Sequence, residues 1–189
     1  MDYEKTDWKN TLRQAKIYFA SGQLEKSIEY FSLAAEEGHE LPLIWMSRGA
    51  AYIALGDYAA AKDDLTLVLN LDPKNERACF FRGVAVFALG EYEKSIEDLT
   101  QSLIKNNNRG IAHLIRGMAY AELGQDSDAE LDINSASAFS SAEFSSFNKV
   151  FGDLPDAFQN SKALLSRENA PWENLLSRES RDMLLGEVE

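Results

Sequence analysis

Few groups in this chain could do chemistry. Apart from its carboxylates it carries two histidines, His39 and His113, a single cysteine, Cys79, and no glycine-rich loop of the kind that cradles phosphate. Catalysis needs a nucleophile, a base or a metal set within mutual reach, and no spacing of these residues provides one. Cys79 and His113 stand where Trp45 stands in a recurring helical pattern, so both are expected to pack. Cys79 reads as a small buried apolar side chain and His113 as a partly buried structural histidine. His39 lies in the connection AAEEGHELP, and the carboxylates are scattered over solvated surfaces. The regular charged feature is a set of pairs: Arg48, Arg82 and Arg116 recur with Asp64, Asp98 and Asp132, always sixteen residues apart. Each arginine is expected to hold the aspartate of its own unit, since the planar guanidinium matches a carboxylate. The rival is a ladder of arginines open to an acidic ligand, although a charge already paired is a weak ligand site. No active site, metal or cofactor is expected.

The elements that position these groups repeat. Gly22, Gly56, Gly90 and Gly124 are spaced by 34 residues, and of the segments aligned on them 48–65, 82–99 and 116–133 match in residue type at most positions, with 14–31 a more divergent first copy. Within each copy, helical spacing puts Trp45, Gly49 and Tyr52 on one face, as it does Cys79, Gly83 and Val86, and His113, Gly117 and Tyr120. After the glycine comes a second amphipathic run, with a small residue five places on (Ser27, Ala61, Ser95, Ala129) and a bulky one nine places on (Phe31, Leu65, Leu99, Ile133). Large therefore meets small between two closely approaching helices. The repeated glycine suits a tight connection, and Asp72-Pro73 stops the second copy. Each copy is predicted to be helix, turn, helix.

This pattern resembles the tetratricopeptide repeat family over about residues 8–141, most fully in the second copy, where Trp45, Gly49, Tyr52, Gly56, Tyr58, Ala61 and Pro73 all match. Elsewhere the late proline position holds His39, Asn107 and Ser141, and Asp126 replaces the usual aromatic of the fourth copy. The resemblance implies an all-α, right-handed superhelix of helical hairpins that binds proteins and has no catalysis of its own. The expected array is 1–141, with repeats at about 8–41, 42–75, 76–109 and 110–141, followed by a C-terminal unit at 142–189. Some relatives clamp a partner's terminal carboxylates with Lys, Asn and Arg. The corresponding stretches here are mostly apolar, which disfavours an acidic chaperone tail as ligand.

Nineteen basic against thirty-one acidic side chains give a net charge of −12, which repels nucleic acid and anionic lipid surfaces. The opening MDYEKTDWKN lacks the layout of a signal peptide, and no apolar run approaches the ~18 residues of a membrane span. A cytoplasmic chain without membrane insertion is expected. With one cysteine, no internal disulfide can form.

Opposite the hairpin-packing face, each first helix carries a second apolar stripe: Leu12, Lys16, Phe19; Met46, Ala50, Ile53; Phe80, Val84, Phe87; Leu114, Met118, Ala121, with Phe81 and Ile115 near the seams. A helix apolar on two faces must bury both or bind something. The candidate binding residues are therefore Leu12, Phe19, Met46, Ile53, Phe80, Phe81, Val84, Phe87, Leu114 and Met118, with inter-repeat packing as the competing role. Their partner would be a protein or peptide with an apolar segment. Residues 142–189 leave the period. Ser140 and Glu143 suit a capping box, and amphipathic helices are expected near 156–167 and 172–185. The last of these, with Trp172, Leu175, Leu176, Met183 and Leu184, can cap the stack, dock in the chain's own groove or engage another chain. The resulting reading is an adaptor or chaperone-like module. Its rivals are a secretion-type chaperone, a self-associating structural subunit, and the regulatory subunit of an enzyme complex.

Overall fold

The computed structural model describes residues 8–38 and 41–137. His39, Ser140, Glu143 and the two expected tail helices lie outside these residues. The described chain is helical, with no strand, and runs α1 (Trp8–Ala20), α2 (Leu24–Glu36), α3 (Leu41–Leu55), α4 (Tyr58–Leu71), α5 (Glu76–Ala88), α6 (Tyr92–Lys105), α7 (Gly110–Glu122) and α8 (Asp126–Ser137). Consecutive helices pair as hairpins, α1 with α2 through α7 with α8, and each second helix also packs on the next first helix. Contacts between α3 and α5 and between α5 and α7 bring the first helices side by side, forming one wall of a hairpin superhelix.

The turns are built alike. Gly22, Gly56, Gly90 and Gly124 have φ between +70° and +87°, a conformation in which a Cβ would be strained. Around each, the glycine N–H donates three residues back and the next N–H donates five back. The pairs are Gly56 to Ile53 and Asp57 to Tyr52, and likewise Gly90 to Phe87 and Glu91 to Val86. This is a Schellman C-cap, which uses helix-end carbonyls that would otherwise lack donors. Asp57 and Asn75 then cap α4 and α5 by accepting from the N–H groups of Ala60 and Ala78 at 3.1 Å.

Hairpin packing follows the large-to-small pattern. A Cβ on Gly49 would lie 3.0 Å from Leu65 Cγ, and one on Gly83 only 2.7 Å from Leu99 Cγ. Opposite Gly117 it would meet Asp132 and Ile133 at 3.1 Å. Ser27 and Ser95, the small residues of copies one and three, also donate to the carbonyls of Ala15 (3.0 Å) and Gly83 (2.9 Å), so those hairpins are bonded as well as packed.

Candidate functional site

The arginine–aspartate pairs form as closed structural contacts. Arg48, Arg82 and Arg116 each donate through Nε and Nη2 to both oxygens of Asp64, Asp98 and Asp132, at 2.6–2.8 Å. All three aspartates are buried. The hydrogen-bonded carboxylate raises the Arg82 guanidinium above its ordinary value against the opposing effect of burial. A third partner completes the set: Nη1 of each arginine reaches a hydroxyl of the preceding repeat, Ser32 (2.9 Å), Thr66 (3.3 Å) or Thr100 (2.9 Å). Each arginine thus ties its own hairpin to the one before it. Sequence reading missed these hydroxyls, although their signal is plain: Ser32, Thr66 and Thr100 follow the same 34-residue period, sixteen residues before each arginine. Copy one, with Gln14 and Tyr30 in the two places, has no such pair and instead packs Tyr30 against Tyr18, the rings tilted by 59° with centroids 5.0 Å apart.

His113 does more than fill the tryptophan position. Its Nδ1 lies 2.8 Å from Asp132 Oδ1, and its Nε2 lies 3.2 Å from the Asn107 carbonyl, so it joins the arginine pair to the connection before α7. Burial alone would push the Asp132 carboxyl up. The hydrogen bonds and charges of Arg116 and His113 outweigh it and hold this group below its usual value. Cys79 is buried, and its thiol is pushed up to about 11, chiefly by that burial, so it stays protonated and unreactive at neutral pH. No cluster of three or more metal-ligating side chains occurs among the described residues.

The apolar stripe divides into two parts. Leu12, Ile53, Phe80, Val84, Phe87, Leu114 and Met118 are buried in the chain's core. Phe19, Met46 and Phe81 are half-buried, and they line an open hollow of about 310 Å³ together with Ala50, Leu43, Ser47, Phe31, Lys16 and Arg77. The hollow therefore spans α1, α3 and α5, on the wall of first helices. Lys16 also borders a second hollow, of about 270 Å³, beside Trp8, Lys9, Leu12 and Arg13 of α1. Phe80 is further covered by the guanidinium of Arg109, 4.3 Å from its ring centre, while Arg109 pairs with Glu76 at 2.7 Å. Of the cations of the groove itself, Lys16 stands in the stripe without being among the candidate binding residues, and Arg77 was not picked out by the apolar pattern.

Three tetratricopeptide repeat models match residues 12–37, 42–75 and 82–143, together well over half of the chain. The chain belongs to the tetratricopeptide repeat family. Solved structures share the fold at low identity. MamA of AMB-1 is similar with a TM-score of 0.65 at 21% identity, covering 72% of this chain and 75% of its own. MamA 41-end from Desulfovibrio magneticus RS-1 gives 0.67 at 17%, covering 84% and 95%. The first tetratricopeptide domain of Spaghetti (RPAP3), bound to the HSP90 peptide SRMEEVD, gives 0.59 at 22%, covering 64% and 96%. No curated protein matches the sequence. Among the described residues no helix is long and apolar enough to cross a membrane. Repeats of this family mediate protein–protein interaction.

Proposed function

We propose that the chain is a non-catalytic cytoplasmic adaptor, or chaperone-like holder, that receives an apolar peptide or helix of a partner protein in its concave groove. The observation that carries this reading is the hollow on α1, α3 and α5, where Phe19, Met46 and Phe81 keep apolar surface open beside Ala50. Fully burying one such side chain stabilises by ~1.5–3 kcal/mol, so even partial burial of three against a ligand is substantial. The buried members of the stripe hold the wall from behind, with Leu12, Phe80 and Met118 as examples. A tetratricopeptide domain of similar fold holds a peptide in RPAP3, which supports a groove role. The test is affinity capture from native lysate with the wild type and with Phe19→Asp combined with Ala50→Glu, followed by hydrogen exchange on the captured complex. Capture should fall sharply in the variant while helicity and melting stay close to wild type, and protection should map to α1, α3 and α5. Unchanged capture, or protection confined to other helices, refutes the reading.

A further inference from the structure

The second helices carry apolar surface that the groove does not use. Leu33 on α2, Leu67 and Leu71 on α4, and Ile104 on α6 are 41–70% exposed. They belong to the second-helix wall, whereas the hollow lies on the wall of first helices. Helix α4 is thus apolar on two faces: Ala61, Leu65, Val68 and Leu69 enter the core, while Leu67 and Leu71, one turn apart, face out. A second apolar face of this kind marks a surface that takes a partner.

An acidic row runs beside this surface. Glu29, Asp63 and Glu97 are exposed, share the 34-residue period and stand four residues before Leu33, Leu67 and Gln101. A step of four residues keeps to one side of a helix and moves about one turn along it. Repetition of the hairpin therefore sets the acids in one row across α2, α4 and α6, with the apolar side chains in a second row one to two turns further on. The cations nearest to these acids in sequence do not neutralise them. Lys26 donates to Gln23 at 3.0 Å and lies 5.6 Å from the centre of the Tyr18 ring, and Lys62 pairs with Glu91 of the next repeat at 2.7 Å. Among the described residues Glu29, Asp63 and Glu97 are in no ion pair, with Lys94 or any other cation.

We infer that this wall is a second docking surface, whose occupant is a basic amphipathic segment of a partner protein. The segment's Lys and Arg residues meet the row of Glu29, Asp63 and Glu97, and its apolar residues cover Leu33, Leu67, Leu71 and Ile104. Charge decides among the occupants. A chain of net charge −12 with unpaired acids along this row repels nucleic acid, anionic lipid and acidic segments, whereas cations along one side of an apolar helix are complementary to it. The long stems of Lys and Arg add to the cover of the leucines. Because the surface and the hollow lie on different walls, this inference is independent of the groove reading. With both sites filled, the chain joins two partners.

Display of random peptides against the full chain tests this. The wild type should enrich peptides in which Lys and Arg accompany apolar residues at helical spacing. A selected peptide of this kind, synthesised and labelled, should bind at least about tenfold more weakly to a variant with Glu29→Lys, Asp63→Lys and Glu97→Lys. It should weaken as much with Leu67→Ser combined with Leu71→Ser, both variants being checked for unchanged helicity. Its binding to the wild type should fall as salt is raised and should be unaltered in the groove variant, Phe19→Asp with Ala50→Glu. A peptide lost in the groove variant and kept by both second-helix variants puts the basic ligand in the hollow, which overturns this inference and leaves the groove reading standing. Cationic peptides insensitive to Leu67→Ser with Leu71→Ser respond to net charge alone and overturn the docking surface. Selection of no basic peptide overturns it as well; if the chain then forms oligomers that the triple variant dissolves, the occupant is a second copy and the partner assignment fails.

Discussion

Removing Arg82 tests whether the ladder holds the repeats together. The side chains of Arg82 and Asp98 are 15% and 4% exposed, and two bonds of 2.7 Å join them. In Arg82→Ala the Asp98 carboxylate stays buried without its donor, and breaking a buried pair from one side costs about 3–5 kcal/mol. The guanidinium edge is partly open, so water can reach the gap, and a loss near 3 kcal/mol is expected. Asp98→Ala should lose less, because the freed guanidinium can turn to solvent and keep Thr66. The double variant should then lie within about 1 kcal/mol of Asp98→Ala, giving a coupling well above the ~0.5 kcal/mol scatter of independent sites. The fourth repeat supplies an internal control. In Arg116→Ala, His113 Nδ1 remains 2.8 Å from Asp132, and a hydrogen bond to a charged group contributes about 1.5–3 kcal/mol, so its loss should be roughly half that of Arg82→Ala. Urea titrations followed by circular dichroism and tryptophan fluorescence give these values. Additive losses in the cycle, or equal losses for Arg82→Ala and Arg116→Ala, would refute the reasoning.

Acid should act through Asp132, whose carboxyl is held below its usual value in the folded state. The stabilisation is complete above the unfolded value of about 3.9 and is lost as pH falls through the lower folded value. Stability of the wild type should therefore drop below about pH 4, and Asp132→Asn should flatten that part of a pH series of melts; an unchanged acid limb contradicts it. The Cys79 thiol, buried and pushed up to about 11, should react with a thiol reagent at neutral pH only as fast as α5 opens. Labelling at the rate of an exposed cysteine would show that the core around it is not closed. Gly83→Ala gains about 1 kcal/mol of helix propensity, but its Cβ would come within 2.7 Å of Leu99 Cγ, and overpacking costs about 1–3 kcal/mol. A lower melting temperature than wild type is expected, with a smaller loss for Gly49→Ala, where the gap is 3.0 Å. A more stable Gly83→Ala would mean that α5 and α6 separate freely.

Which parts of this molecule were legible in the sequence follows from what a period can encode. The glycines at 22, 56, 90 and 124 gave away the turns because a left-handed residue and a close helix approach both need that residue type. The arginine–aspartate pairs were legible because they are present together in copies two to four and absent together in copy one. The hydroxyl partners were equally periodic, but Ser and Thr on a helix surface carry no strong expectation, so Ser32, Thr66 and Thr100 were not singled out. The stripe was harder to read. Helical spacing places Phe80 and Phe81 on adjacent sides of α5, yet only the stacking of neighbouring helices decides that Phe80 is buried and Phe81 half-open. His113 shows the same limit: the register gave its position, and only the fold gave it Asp132 and the Asn107 carbonyl.

The position of the groove follows from how the core is divided. Leu12, Ala15, Phe31, Ala34, Ile44 and Ala51 form one buried cluster around copy one, while residues from Ile53 to Ala136 form another through copies two to four. Helix α3 serves both, with Ile44 and Ala51 facing the first and Ile53 the second. The ladder runs through the second block, and it reaches copy one through the single bond from Arg48 to Ser32. The hollow lies at this division: Phe31 belongs to the first cluster, Phe19 packs against it, and Met46 and Phe81 pack against the second. An apolar segment seated there buries surface from both blocks at once. By linkage, whatever free energy such a ligand gains from having copy one docked is returned as stabilisation of that docking. Copy one forms one side of the hollow, so under the proposed function ligand affinity and the closure of copy one onto the ladder would be parts of one equilibrium.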